Sequence, residues 1–232
     1  MSHHLLSAVQ VLIPARKNSK RFPKKNKALL DGKPLIAYSI EYAIQEGIPL
    51  SQIWVNSDDQ EILEIARNYH VQVFTRNENL AQDLTPTVAV LQDHLDFFER
   101  NNIICEAVIL LQVTNPFRPK GELARLLEEF YVSNRSSLCT FSPLNKKFGK
   151  IIDKHFMPEN YTPGQRMQDL EPLYYENGCI YIAKSSLVEQ GKIIGEDVLP
   201  IVFFDVLSTI DIDEYSDLQF AEALLKITNE NI

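Results

Sequence analysis

The chain has 232 residues, 45% of them apolar, and a formal net charge of −8. That length and apolar content suit one α/β domain with a full core, and the acidic balance argues against nucleic acid as a partner. No run reaches membrane-spanning length, and the three cysteines (Cys105, Cys139 and Cys179) are too dispersed for a disulfide framework or a zinc motif. Met1-Ser2-His3-His4 carries no signal-peptide pattern, and its histidines read as a terminus rather than as metal ligands. A reducing cytoplasm is the expected setting.

In chain order, the apolar run Val11-Leu12-Ile13 ends at Pro14, and seven cations with no acid occupy the thirteen positions from Ala15 to Lys27. Pro14 and Pro23 keep that stretch from being helical throughout. Gly32-Lys33-Pro34 closes the loop, with Pro34 as the first residue of a helix bearing Ile36, Ile40, Ala43 and Ile44. Residues 53–57 read as a second buried strand. Asp58 and Glu61 make a capping-box-like start for a helix with Ile62, Ile65, Ala66 and Tyr69, and 71–74 is a short strand. After a polar loop over 75–83, Thr85 caps and Pro86 opens a helix that buries Val88, Leu91, Leu95 and Phe98.

Residues 107–112 are apolar until Gln112, a strand that leads through Asn115-Pro116-Phe117-Arg118-Pro119 into a helix with Leu123, Leu126, Leu127 and Phe130. Residues 137–141 form another strand. From Ser142 to Leu173, four prolines, many charges and little periodicity predict an irregular arm, either a lid or a subunit contact. Residues 178–183 read as a strand, 185–190 as a short helix, and 201–206 and 209–212 as late strands. A closing helix over 214–227 turns Leu218, Ala221, Leu224 and Leu225 inward.

Strands apolar on both faces, alternating with helices, predict a three-layer α/β/α fold around a mostly parallel sheet. Ligands of such sheets sit beyond the strand carboxyl ends. That rule gathers the basic loop, Ser57 and Asp58, Arg76, Gln112, Asn177, and the pair Asp211 and Asp213. A basic loop at a strand end suits a polyphosphate, with Arg16 forking onto oxygens and Lys20 and Lys25 as point charges; the plainer alternative is a solvated turn. Asp211-Ile212-Asp213 sets two carboxylates on one face, where they could hold a divalent cation, or Asp213 could cap the last helix. Gln112 ends an apolar strand and needs a ligand or loop as partner. Asn177-Gly178 reads as turn chemistry, Tyr174 and Tyr175 as packing or interface residues, and spacing decides nothing for Arg76 or Arg166.

Four motifs in order give the chain a recognisable likeness. Ile13 to Asn26 meets every fixed position of Ile-Pro-Ala-Arg-x-x-Ser-Lys-x-x-Pro-x-Lys-Asn. Leu111 to Arg118 carries a Leu-Gln strand end followed by Thr-x-Pro-x-Arg. Arg166 to Asp169 and Tyr174 to Tyr181 carry an Arg-x-Gln-Asp arm and Tyr-x-x-Asn-Gly-x-Ile-Tyr, and Asp211-Ile212-Asp213 is the fourth. The sequence resembles the N-acylneuraminate cytidylyltransferases (CMP-sialic acid synthetases), including relatives acting on legionaminic and pseudaminic acids.

The resemblance implies a Rossmann-like nucleotidyltransferase fold, one domain over 1–232 with an inserted arm at about 142–175 that packs on a second subunit of a homodimer. The implied reaction is attack by the anomeric hydroxyl of a nonulosonic acid on the α-phosphorus of CTP, with release of pyrophosphate. On this likeness Arg16, Lys20 and Lys25 cradle the triphosphate, and Asn26, Arg76, Thr85 and Thr87 hold the nucleotide with Ser57 and Asp58 nearby. Gln112, Gln168, Asn177 and Tyr181 belong to the sugar side, Arg166 contacts anionic groups, and Asp211 and Asp213 bind Mg²⁺.

Lys17-Asn18 stands where many members have two glycines, and Asn18 is the non-glycine residue best suited to a positive φ there. Met167 replaces a frequent arginine and Asn115 a usual serine. The rival readings are a 3-deoxy-manno-octulosonate cytidylyltransferase, whose relatives normally lack the Ser-Lys and Lys-Asn parts of the first motif, and a non-catalytic nucleotide-binding module. A dinucleotide oxidoreductase is disfavoured because no Gly-x-Gly-x-x-Gly follows a strand.

Overall fold

A computed structural model describes residues 8–230, so His3 and His4 lie outside the described residues. The first half runs through β1 (Val9–Pro14), the short ladder of β2 (Leu29–Leu30) and β3 (Lys33–Pro34), α1 (Leu35–Gln45), β4 (Ile53–Ser57), α2 (Gln60–Asn68), β5 (Gln72–Thr75) and α3 (Thr87–Arg100). The second half holds β6 (Ala107–Leu110), α4 (Leu123–Ser133), β7 (Ser137–Pro143) and the hairpin of β8 (Gly149–Ile152) and β9 (His155–Pro158). It ends with β10 (Tyr174–Lys184), α5 (Ser185–Glu189), β11 (Leu199–Val202) and α6 (Tyr215–Glu230).

One sheet takes the strands in the order β11-β7-β10-β6-β1-β4-β5. β1 is parallel to β4 and β6, β4 to β5, and β11 to β7, while β10 is antiparallel to both of its neighbours. The three-layer, mostly parallel α/β arrangement expected from the sequence is therefore present. The chain leaves β1 toward β4 on one side, and the later strands add from β6 on the other. β1 and β6 thus flank the switch point where such sheets open a crevice at their carboxyl ends.

Alternation along the strands makes the layers. Val9, Val11 and Ile13 of β1, with Ile109 of β6, face a core completed by α1, α2, α4 and α6, including Ile36, Ile62, Leu126 and Ala221. Leu12, Val108 and Leu110 face the other side, against Leu91, Leu95 and Phe98 of α3. Gln10 is buried without penalty: its Nε2 donates to the Ile104 carbonyl and its Oε1 accepts from Trp54 Nε1, both at 3.0 Å. Glu46, just past α1, accepts the N–H groups of Gly121 and Leu123 at 2.6 and 3.0 Å, satisfying the N-terminus of α4 from another element.

Several expected boundaries move. Pro34 precedes α1 rather than starting it, and α2 is capped by Asp59, which accepts the Glu61 N–H at 3.0 Å, not by Asp58. Thr85 does not cap α3; Pro86 occupies that position, and no side chain bonds there. The 142–173 stretch is not wholly irregular, because β8 and β9 pair within it. β10 begins at Tyr174 and changes register between Glu176 and Tyr181. The late strand over 201–206 is shifted to Leu199–Val202, and 209–212 is no strand. Ile212 is fully buried there, and its N–H meets the Thr114 carbonyl at 2.8 Å; one inward side chain produces the alternation without a ladder.

His94 of α3 is fully buried among Trp54, Phe74, Phe97 and Phe98, with Phe74 stacked on it at 4.4 Å. Burial first, and the Arg76 charge second, push its pKa down to about 3. An unfolded histidine titrates near 6.5, so between that value and about 3 the unfolded chain takes up a proton that the fold refuses. Stability contributed by neutral His94 is present above that window and falls with acidification, by about 1.4 kcal/mol per pH unit. In His94→Phe, the decline of Tm from pH 6.5 to 4.5 should be visibly shallower than in the wild type; parallel curves would mean that His94 is not held neutral.

Candidate active site

The basic loop leaves β1 under three ties. The Ala15 N–H donates to the Asn56 carbonyl at 2.9 Å, the Lys17 N–H donates to Asp58 Oδ1 at 2.7 Å, and Asn26 Nδ2 donates to the Arg16 carbonyl at 2.8 Å. A single 3-10 turn, Lys25–Lys27, ends the loop, and Lys24 before it takes the left-handed conformation at φ 59°. Asn18, expected to supply the positive φ, is not among the residues that adopt one.

Beyond the carboxyl ends of β1 and β6 lies a cavity of about 370 Å³. Arg16, Ser19, Lys25 and Asn26 border it from the loop, Arg76, Asp83, Thr85 and Thr87 from the β5–α3 side, and Gln112, Thr114, Asp211 and Asp213 from the far wall. The structure thus brings together nine positions singled out in the sequence. Lys20 reaches the same place indirectly: its Nζ meets Asp83 at 2.9 Å, and Arg16 pairs with the other oxygen of that carboxylate. Those two cations hold Asp83 below the usual carboxylate range.

The opposite wall is knitted to the loop by charge. Lys25, with a nearly buried side chain, donates to Asp213 Oδ1 at 2.8 Å, and Arg21 pairs with Oδ2. Burial alone would raise Asp213, but these cations outweigh it and hold the group low. Asp211 is different. It opens onto the cavity, yet the surrounding protein still costs its charge hydration, so burial first and the neighbouring Asp213 next raise it, against a Thr114 hydrogen bond. The cap of α6 comes from Asp217, whose Oδ2 accepts the Asp213 and Glu214 N–H groups at 2.9 and 2.8 Å. Asp213 therefore presents its carboxylate to cations rather than to the helix.

Two buried arginines, for which spacing gave no role, shape the walls. Arg76 donates from Nε to Asn56 Oδ1 at 2.6 Å and from Nη2 to the Asn56 carbonyl at 3.0 Å; burial lowers it to about 10. Arg118 donates to the carbonyls of Cys179 and Gln112, both at 2.6 Å, and to Ser39 Oγ at 3.2 Å. It fixes the backbone at Gln112, whose side chain lines the cavity.

Other sequence candidates do not line the cavity. Ser57 Oγ accepts the Asp59 N–H at 3.0 Å, and Asp58 is engaged by the loop. Asn177, expected on the sugar side, is buried in the register shift of β10. There it accepts from Thr140 at 2.7 Å, donates to Ser142 at 3.1 Å and accepts the Cys179 N–H at 3.1 Å, which is a packing role. Next to it, Gly178 at φ 76° passes so close to Asn115 that a Cβ would overlap it. Tyr181 packs with Cys139 and Ala183, its hydroxyl 3.3 Å from Glu176. Arg166 and Gln168 are exposed on the arm, where Arg166 forks onto Asp169 at 2.7 and 2.9 Å.

Comparison with known proteins gives the same direction. A family model described as cytidylyltransferase matches residues 10–230. The CMP-N,N'-diacetyllegionaminic acid synthase of Legionella pneumophila is 34% identical, covering 96% of this chain and 98% of that one. The pseudaminic acid cytidylyltransferase of Campylobacter jejuni is 32% identical over 95% and 97% of the two chains. The N-acylneuraminate cytidylyltransferase of Streptococcus agalactiae is 33% identical, over 74% of this chain and 42% of that one. Among solved structures, a CMP:2-keto-3-deoxy-manno-octonic acid synthetase complexed with CTP superposes with a TM-score of 0.67 at 16% identity, over 95% and 99% of the two chains. A 4-diphosphocytidyl-2C-methyl-D-erythritol synthase does so at 0.67 and 13%, over 94% and 97%; at such identities the likeness is one of fold. On a family match over nearly its whole length and relatives above 30% identity, the chain belongs to the cytidylyltransferase family.

Proposed function

We propose that this protein transfers CMP from CTP to the anomeric hydroxyl of a sialic-acid-like nonulosonic acid. The observation that carries the reading is a single cavity with cations of the first loop on one wall and the Asp211 and Asp213 carboxylates on another. The three relatives named above support the acceptor class, since each is named for a nonulosonic acid or its CMP derivative.

In this reading Arg16 and Lys25 bind the triphosphate, and Lys20 follows at the rim. Asp83 already occupies the anion position between Arg16 and Lys20, so the triphosphate takes its place. Asn26, Arg76, Thr85 and Thr87 bind the nucleoside end. Gln112 orients the acceptor sugar, its backbone braced by Arg118. The sugar oxygen forms its bond to the α-phosphorus as the bond to the pyrophosphate oxygen breaks. The hydroxyl proton leaves to solvent water, since Asp211 is committed to a cation. Cations around the leaving phosphates offset the charge that develops there.

A Mg²⁺ ion suits Asp211 and Asp213. They are hard oxygen donors whose mutual repulsion contributes to the raised Asp211 pKa, and a divalent cation relieves such repulsion. Among the described residues no group of three or more His, Cys, Asp or Glu is arranged for a metal, so substrate or water oxygens would be needed beside the two carboxylates. When bound, the ion polarises the phosphate and acidifies the attacking hydroxyl.

The arm serves as a subunit contact in a homodimer. Ile151 and Phe156, paired across the hairpin, are 76% and 51% exposed on one of its faces, and Ile152 and Met157 are 51% and 53% exposed on the other, apolar surface that a second copy would cover. Arg166 and Gln168 would then border the partner's cavity. Sedimentation should give a dimer that Ile151→Asp converts to monomer; a monomeric wild type contradicts this role for the arm.

Pyrophosphate release from CTP and Mg²⁺ with a panel of nonulosonic acids tests the activity, and failure of every acceptor would overturn it. Asp211→Asn should reduce turnover at least about 100-fold with Tm unchanged or higher, since the neutral amide removes an unfavourable charge. Lys25→Ala should raise KM for CTP about tenfold and KM for the sugar far less; the reverse pattern would refute the triphosphate assignment.

A further inference from the structure

A line of buried polar groups runs inward from the cavity, and the chemistry proposed above uses only its outer end. Arg76, Asn56 and His94 are 6%, 1% and 0% exposed. Arg76 reaches the cavity wall, held along one edge by the side-chain and main-chain oxygens of Asn56 at 2.6 and 3.0 Å. Behind it, Asn56 Nδ2 lies 3.4 Å from His94 Nδ1. His94 Nε2 is buried with no hydrogen-bond partner. A buried guanidinium anchored by a carboxylate would have its charge compensated internally. Anchored by an amide, it keeps that charge for a ligand.

The arrangement has a definite polarity. An arginine only donates, so it fixes Asn56 Oδ1 toward Arg76 and leaves Nδ2 to donate inward. The acceptor for that donor is His94 Nδ1, which places the imidazole proton on Nε2, the atom left without a partner. A buried, unsatisfied N–H is a standing cost, and it persists because the other ring nitrogen is occupied by Asn56. Aromatic rings stack on His94 and keep it from turning, with Phe74 at 4.4 Å and Phe98 at 4.6 Å. The same Asn56 carbonyl also accepts the Ala15 N–H at 2.9 Å, directly before Arg16. One residue thus sets the origin of the cationic loop and the aim of the arginine on the β5–α3 side.

We propose that Asn56 and His94 are positioning residues for nucleotide binding: His94 Nδ1 orients the Asn56 amide, and that amide aims Arg76 into the cavity without neutralising it. The consequence for nucleotide rests on the cytidylyltransferase reading; the aiming of Arg76 does not.

Two variants separate positioning from packing. His94→Phe keeps the aromatic stack and removes the buried unpaired N–H, but leaves the Asn56 amide with no acceptor and able to turn over. Asn56→Asp keeps an acceptor for Arg76 and sets a carboxylate against it. The Nε–H proton of Arg76 is followed by ¹⁵N NMR in the unliganded protein, and steady-state kinetics with CTP and Mg²⁺ are measured alongside. In the wild type this Nε–H should be sharp and protected from exchange. His94→Phe should broaden it and raise KM for CTP about tenfold, with kcat within about twofold and Tm unchanged or higher. Asn56→Asp should keep the Nε–H protected and still raise KM for CTP, a split that packing alone would not give. An Arg76 signal unaltered in His94→Phe, or a KM unaltered in Asn56→Asp, overturns the proposal. A wild type that neither binds nor turns over CTP would instead refute the functional reading, and the Nε–H signals would still report on the anchoring.

Discussion

The contact on which the site depends is the ion pair between Lys25 and Asp213, at 2.8 Å. It joins the loop after the first strand to the turn before the last helix, 188 residues apart in sequence. A nearly buried ammonium without a partner would be costly to keep charged, so the loop closes where the carboxylate is. Arg21 adds a second cation to the same group, and Ile212, fully buried beside it, ties the acidic turn to the segment after β6 by donating its N–H to the Thr114 carbonyl. Both walls of the cavity are thereby set before any substrate arrives, which is the preorganisation that charge stabilisation in transfer reactions requires.

Around that pair the protein places its cations by two different rules. Arg21 and Lys25 face carboxylates, whereas Arg76 and Arg118 face oxygens of neutral groups. Burial lowers both of the latter to about 10 and leaves them charged at neutral pH. Arg118 binds β6 to β10 and holds the strand end that presents Gln112; Arg76 faces the cavity. The neutral anchoring of Arg76 leaves its charge facing the cavity without a carboxylate hydrogen-bonded to it. A triphosphate entering the crevice meets cations on the loop side and acids on the far side.

Much of this was legible in the sequence because its causes are local. Pro14 ends an apolar run, the cations behind it have no acid among them, and strand-end residues in parallel sheets gather at one edge whatever the loop details. Less visible were features decided by distant partners. Asp58 and Asp59 are equally good caps on paper, and the Lys17 N–H takes one of them. Thr209 to Ile212 alternates like a strand, but among the described residues no strand pairs with it. Asn177 keeps the turn chemistry its Asn-Gly pair suggests, accepting the Cys179 N–H two residues on beside Gly178 at positive φ, but Thr140 and Ser142 use the rest of its side chain inside a register shift. Asn56 and His94 gave no signal at all, since their meeting depends on α3 packing over β4, and Asp83 became notable only when Arg16 and Lys20 closed on it.

The central claim is that the loop cations and the acidic pair grip one magnesium-bound nucleotide. Anomalous diffraction from crystals grown with CTP and Mn²⁺ in place of Mg²⁺ measures this directly. The account predicts one manganese peak at ligand distance from both Asp211 and Asp213, with triphosphate oxygens on the same ion and against Arg16 and Lys25. Nucleotide bound elsewhere on the molecule, or metal and triphosphate in separate clefts, would contradict it.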